Sequence, residues 1–218
     1  MIDLIILDFD GVILESVSAK TKAFSEIFSG EKPEDLKKII DYHLENGGMP
    51  RFDKFRHIYA EILNKELTDE KIKELSENFE KIVKHEVINS PFVSGAEEFL
   101  SGILGKVPLY VVSATPQDEI REIIKEKGIN RYFNGVFGSP ETKASHIRKI
   151  LEDTGVKPEN AVFIGDAKND WKAAVENKVR FIGRVCDQIP DTISGLPDVE
   201  TIVEDLKDFE MYVKAYML

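Results

Sequence analysis

Cysteine is almost missing from this chain. Cys186 stands alone among 218 residues, which excludes a disulfide framework and a thiolate metal site. Long apolar runs are missing as well: none approaches the ~20 residues needed to span a bilayer. The sequence enters an apolar strand at once, with no targeting pattern ahead of it, so a soluble cytoplasmic protein is expected. Positive charge is scarce. Lys and Arg number 29 against 40 Asp and Glu, a formal net charge of -11, which argues against a nucleic-acid backbone or an anionic membrane as partner. The four histidines, His43, His57, His85 and His146, show no metal-ligand spacing and read as surface or boundary residues. Trp171 and Cys186 read as packing residues. What is present is an ordinary globular composition, 42% hydrophobic and 32% charged, long enough for one domain plus an insert.

The most informative residues are Asp8-Phe9-Asp10-Gly11, at the end of the apolar run Leu4-Ile5-Ile6-Leu7. An extended backbone puts the two carboxylates on one side, where like charges need a cation, a proton or a cage of hydrogen bonds. Gly11 permits a sharp turn and a close ligand approach. A second acidic pair, Asp166 and Asp170, follows the apolar stretch 161–164. Two acidic clusters at strand ends point to one shared site for a hard divalent cation, Mg²⁺. Read singly, each pair is also what turn acids or a helix cap would look like.

Short strands alternate with helices over much of the chain, at 107–112, 161–164 and 179–182, which predicts a parallel α/β sheet with crossovers. Ser94 and Glu97 have capping-box spacing for a helix over 94–104. A helix over 117–127 should end at Gly128. Residues 17–89 break the alternation. Phe24, Ile27 and Phe28, then Leu36, Ile39 and Ile40, then Phe52, Phe55, Ile58, Tyr59 and Ile62, and Ile72, Leu75, Phe79, Ile82 and Val83 fall at helical spacing. That is about four amphipathic helices, far more than a connection between sheet elements needs. The division expected is a Rossmann-like core of residues 1–15 and 91–218 with an all-helical cap of residues 16–90.

Ligands of open α/β sheets sit beyond the carboxyl ends of the strands. Asp8 with Asp10, Ser113 with Thr115, Lys143, and Asp166 with Asp170 fall at such ends. A carboxylate nucleophile, a metal, a hydroxyl beside backbone N–H groups and a fixed ammonium suit phosphoryl transfer through an aspartyl-phosphate.

These residues carry a family resemblance. The stretch Asp8-Phe9-Asp10-Gly11-Val12-Ile13-Leu14-Glu15-Ser16 resembles the first motif of the haloacid dehalogenase superfamily of phosphohydrolases. Val111-Val112-Ser113-Ala114 is similar to the second motif, Lys143 to the third, and Gly165-Asp166 through Asp170 to the fourth. The helical insert resembles the cap that many members carry between the first two motifs, as in the phosphoglycolate phosphatase and beta-phosphoglucomutase-like branch. The resemblance implies that Asp8 attacks phosphorus and Asp10 acts as general acid and base. It implies Mg²⁺ held by Asp8, the Asp10 backbone carbonyl and Asp166, with Asp170 supporting. Ser113 and the Ala114 N–H would hold phosphoryl oxygens, and Lys143 would neutralise charge. Dehalogenating relatives lack the second carboxylate, so Asp10 favours phosphate chemistry. Two departures stand out: Glu15 replaces an Asp common in the family, and Lys143 lacks the usual proline-rich context, with Lys149 as a more distant substitute.

The resemblance implies a Mg²⁺-dependent phosphatase acting on a small phosphorylated metabolite, a sugar phosphate or a phosphoglycolate-like acid, as a monomer or weak homodimer. A phosphomutase of the same superfamily is the nearest alternative. A receiver-like module or a metal-binding protein without catalysis stands further off, because a large insert follows the first strand and no catalytic position is replaced. In the cap, Asn46-Gly47-Gly48-Met49-Pro50-Arg51 reads as a helix-breaking loop. Gly48 and Arg51 are its specificity candidates, Arg51 offering a forked donor to a second anionic or polyhydroxylated substrate end.

Overall fold

The structure is a computed structural model and describes residues 1–187 and 189–216. Strand β1 (Leu4–Leu7) has all four residues buried, as expected of a strand covered on both faces, where apolar residues run on without alternating. Its two faces feed two separate cores. Ile5 and Leu7 pack in one, Leu4 and Ile6 in the other, as the two-residue period of a strand requires.

Around β1 lie β2 (Leu109–Pro116), β3 (Gly135–Ser139), β4 (Ala161–Gly165), β5 (Arg180–Arg184) and β6 (Val199–Val203). They form one six-stranded sheet in the order β3-β2-β1-β4-β5-β6, and every pairing is parallel. The chain reverses its direction of travel across the sheet between β1 and β4, the switch point at which such sheets bind ligands. Helices α5 (Ala96–Ile103), α6 (Gln117–Glu126) and α9 (Leu206–Tyr216) bring Phe99, Ile123 and Phe209 to the first core. Helices α7 (Lys143–Thr154) and α8 (Lys168–Glu176) bring Ile147 and Ala174 to the second.

The interval between β1 and β2 is helical. It holds α1 (Val17–Ile27), α2 (Pro33–Glu45), α3 (Arg51–His57), which runs into a π-helical turn at Ile58–Ile62, and α4 (Asp69–Asn89). Phe24, Phe55 and Phe79 meet at the centre of this cap, with the Phe24 centroid 5.7 Å from Phe55 and 5.1 Å from Phe79. The two chain passages into and out of it run side by side: Leu14 bridges Phe92, and Glu15 N–H donates to Pro91 O at 3.0 Å.

Several expectations change. Helix α5 starts from Gly95 in the left-handed region with no side-chain cap, so Ser94 forms no capping box; its carbonyl accepts from Leu206 N–H instead, at the start of α9. His43 and His146 are buried, His146 bonded to Gly138 O at 2.9 Å. Strands β3 and β6 have no counterpart in the sequence reading. None of the described helices is long and apolar enough to cross a membrane.

Candidate active site

Strand β1 ends at Leu7 and delivers Asp8, buried, to the carboxyl edge of the sheet. Strand β4 delivers Asp166, and the first turn of α8 delivers Asp170, which is wholly buried. Carboxylate oxygens of these three residues lie within 4.8 Å of one another. Lys143, the first residue of α7, reaches into the cluster: its Nζ is 2.9 Å from Asp8 Oδ2 and also bonds Asp170. Thr142 caps that helix by accepting from Ser145 N–H at 3.1 Å, which fixes where Lys143 departs.

One ammonium among three buried carboxylates leaves negative charge in excess. Burial raises the pKa of Asp8, and Asp170 and Asp10 raise it further against the opposing pull of Lys143. Asp166 is raised by burial and by Asp8 and Asp170. Burial would lower Lys143, but Asp170 and Asp8 reverse the effect and hold it charged. An all-oxygen, net-negative donor set is what a hard divalent cation fits. The backbone leaves room beside it: a Cβ on Gly11 would lie 2.1 Å from Asp166 Oδ2, so only glycine permits this turn against that carboxylate. Asp8, Asp166 and Asp170 would hold the cation, as the fit of charge and donor type allows.

Asp10 turns its carboxylate out of the cluster. Ser16 Oγ donates to its Oδ1 at 2.6 Å, Thr115 Oγ1 donates to its Oδ2 at 3.2 Å, and Lys20 of α1 pairs with the same oxygen. Burial pushes Asp10 up, but the Lys20 charge and these hydrogen bonds outweigh it and hold the carboxyl below its usual range. Ser113 is buried in the second half of β2 and accepts from Thr115 N–H at 3.1 Å, leaving its own O–H to donate elsewhere. Ala114 lines the cavity beside it. Lys149 lies on the exposed side of α7, paired with Asp153.

The turn after Asp10 has its own anchor. Arg184, buried at the end of β5, donates to Gly11 O at 2.7 Å and grips both Glu15 carboxylate oxygens, at 2.6 and 3.0 Å. Glu15, the departure from the family pattern, therefore ties the exit of the first motif to the sheet.

The cap roofs a cavity of about 80 Å³ lined by Asp8, Asp10, Ala114 and Asp166 below and by Lys20, His43, Gly48 and Lys54 above. Gly48 sits at φ +67° against Ala167, Asn169 and Asp170, and Asn169 Nδ2 donates to Gly47 O at 2.8 Å. Arg51 is not in this wall. It is buried, paired with Glu119 of α6, and packs 5.1 Å over the Phe79 ring. The expectation that Arg51 reaches the substrate is corrected: a buried carboxylate on the core claims it. Lys20, Lys54 and Arg184 have no place in the sequence reading, and His43, expected there at the surface or a boundary, lies in the cavity wall.

Comparison with known proteins agrees with this geometry. Residues 5–184 match the haloacid dehalogenase-like hydrolase family. A 5'-nucleotidase of Pseudomonas aeruginosa is 32% identical over 95 residues, 41% of this chain and 43% of that protein, so the match spans less than half of its length. Phosphoglycolate phosphatase 1 of the same organism is 23% identical over 185 residues, 81% of this chain and 67% of that protein. The crystal structure of a predicted phosphatase from Clostridium acetobutylicum shares the fold with a TM-score of 0.76 at 20% identity, over 99% of each chain. The family match begins on the second residue of β1 and closes on Arg184, taking in each strand end that carries a carboxylate, and the chain belongs to the haloacid dehalogenase-like hydrolases.

Proposed function

We propose that this hydrolase is a Mg²⁺-dependent phosphatase that cleaves a small phosphate monoester through a phosphoryl intermediate on Asp8. The observation that carries the reading is the pairing of two differently held carboxylates: Asp8 in the cluster against Lys143, and Asp10 outside it under Ser16, Thr115 and Lys20. Asp8, ionised once the cation is bound, serves as nucleophile, and Asp10, which Lys20 keeps ionised here, serves as proton carrier after Lys20 releases it.

Asp8 Oδ attacks phosphorus while Lys143 keeps the attacking oxygen and the phosphoryl group from repelling each other. The Ser113 hydroxyl and the Ala114 N–H orient phosphoryl oxygens. Asp10 gives a proton to the departing oxygen and later takes one from the water that attacks the intermediate. When bound at Asp8, Asp166 and Asp170, Mg²⁺ supplies the charge neutralisation that lets an anionic nucleophile approach an anionic phosphate. Similarity over 81% of this chain to a phosphoglycolate phosphatase supports a small phosphorylated acid as substrate.

Hydrolysis of p-nitrophenyl phosphate tests the reading. Turnover should need Mg²⁺, vanish with EDTA and be suppressed by Ca²⁺, whose larger and looser shell misplaces the nucleophile. Asp8→Asn should lower kcat by about 1,000-fold or more with the fold retained. Near wild-type turnover by that variant would remove the covalent step.

A further inference from the structure

Three helices of the cap send polar side chains into the cavity wall, and they are not equivalent. Lys20 of α1 is neutralised by Asp10. Lys54 of α3 is 4% exposed, yet its Nζ meets only the two acceptors of a single residue, His43 of α2: Nδ1 at 3.0 Å and the backbone oxygen at 3.0 Å. No carboxylate among the described residues pairs with it. Phe24 lies beneath, its ring 5.6 Å from Nζ, and Leu44 and Met49 add apolar wall nearby. A buried charge without a counter-charge is costly, and structures keep one where a ligand supplies the missing partner.

The arrangement is built from one end to the other. Thr21 Oγ1 donates to Val17 O at 3.1 Å, which leaves its oxygen to accept from His43 Nε2–H at 3.2 Å. His43 is then protonated on Nε2, and its Nδ1 lone pair faces Lys54. Burial and the neighbouring Lys54 and Lys20 lower the His43 pKa to about 2, so the ring stays a neutral acceptor. Two of the three ammonium protons are spent on His43, and the third is left for the cavity that Asp8 and Asp10 also line.

We propose that Lys54 is the specificity-determining residue of this site, donating its third N–H to a carboxylate on the leaving-group end of the substrate, with His43 as the residue that positions it. The assignment rests on the phosphatase reading for which end of the substrate is transferred. The core supplies Lys143, Ser113 and the Ala114 N–H to the phosphoryl group, so a further cation across the cavity serves the other end. A single N–H suits a carboxylate; a second phosphate would bring twice the charge and ask for a forked donor.

Binding of unreactive phosphonates tests this without turnover. 3-Phosphonopropionate and propylphosphonate share the phosphonate and the three-carbon chain and differ in the carboxylate. By calorimetry on the Mg²⁺-loaded protein, the first should bind about ten-fold or more tightly than the second. In Lys54→Met that ratio should collapse to within about two-fold. His43→Gln should reduce it part-way, because the ammonium remains but is no longer aimed. Circular dichroism, and Lys54→Gln as a second replacement, separate loss of the ratio from loss of the fold. Equal weakening of both ligands in Lys54→Met would assign the lysine to the phosphoryl end and overturn the proposal. Tighter binding of propane-1,3-bisphosphonate than of 3-phosphonopropionate would overturn the choice of carboxylate. A wild-type protein that shows the ratio but hydrolyses no phosphate ester would sink the phosphatase reading and leave the carboxylate site standing.

Discussion

Two buried lysines show how the same side chain is tuned in opposite directions by what it faces. Lys143 sits against Asp8 and Asp170 and is held charged. Lys54 faces neutral His43, and burial, with the Lys20 charge adding to it and Asp166 opposing, lowers its pKa to about 7. The sign for stability follows from which state holds the proton. Between about 7 and the ordinary lysine value of 10.5, the unfolded chain keeps a proton that the folded chain has released. Stability from this residue therefore climbs with pH across that window, and below it the cost of burying the charge is fully present. Lys54→Met keeps much of the stem and drops the charge. It should stabilise the protein by about 1–2 kcal/mol at or below neutral pH, with the gain fading as pH rises toward the unfolded value. Urea unfolding at several pH values measures this; a gain independent of pH would mean that packing, not charge, is responsible.

Element by element, what the sequence made legible follows from how locally each signal is written. β1 could be read because a strand buried on both faces is a continuous apolar run, and α6 because Gly128, at φ +76°, marks its end. β3 is a five-residue edge strand, half-buried at its start and carrying two glycines, and β6 is an edge strand with little buried surface; both exist through their partners. The acidic motifs were visible because a strand end fixes where their side chains go. Lys20, His43 and Lys54 were not, since their roles arise only when α1, α2 and α3 converge above the sheet. Arg51 shows the same limit. Its partner Glu119 lies 68 residues on, in α6, and nothing in the loop foretells that α3 and α6 meet. The pair is buried on both sides, so removing one member strands the other. Arg51→Ala should destabilise by about 3 kcal/mol, and Arg51→Met with Glu119→Leu by clearly less, because the double change leaves no lone charge. Additive losses in thermal unfolding would show that the two side chains act separately.

At the scale of the whole molecule, the cap closes over the catalytic edge of the sheet. The cavity beneath it is lined from both sides, so parting of those surfaces would widen the way in and out, and the paired passages at Leu14 and Phe92 connect the two. Closure has a contact point: Gly47 and Gly48 lie on Ala167 and Asn169, and a Cβ on Gly47 would come within 3.0 Å of the Ala167 methyl. A larger side chain there acts as a wedge at the rim, outside both hydrophobic cores. Gly47→Val should therefore hold the cap ajar, admitting water and displacing Lys20 and Lys54 from above the site. We expect kcat to fall by about ten-fold or more, with the unfolding temperature nearly unchanged because the cores are untouched. Small-angle scattering of the Mg²⁺-loaded protein with 3-phosphonopropionate should show a larger radius of gyration for the variant than for the wild type. A compact scattering profile together with lost turnover would place the defect in the chemistry of the site, and full turnover with an expanded profile would show that hydrolysis proceeds without closure.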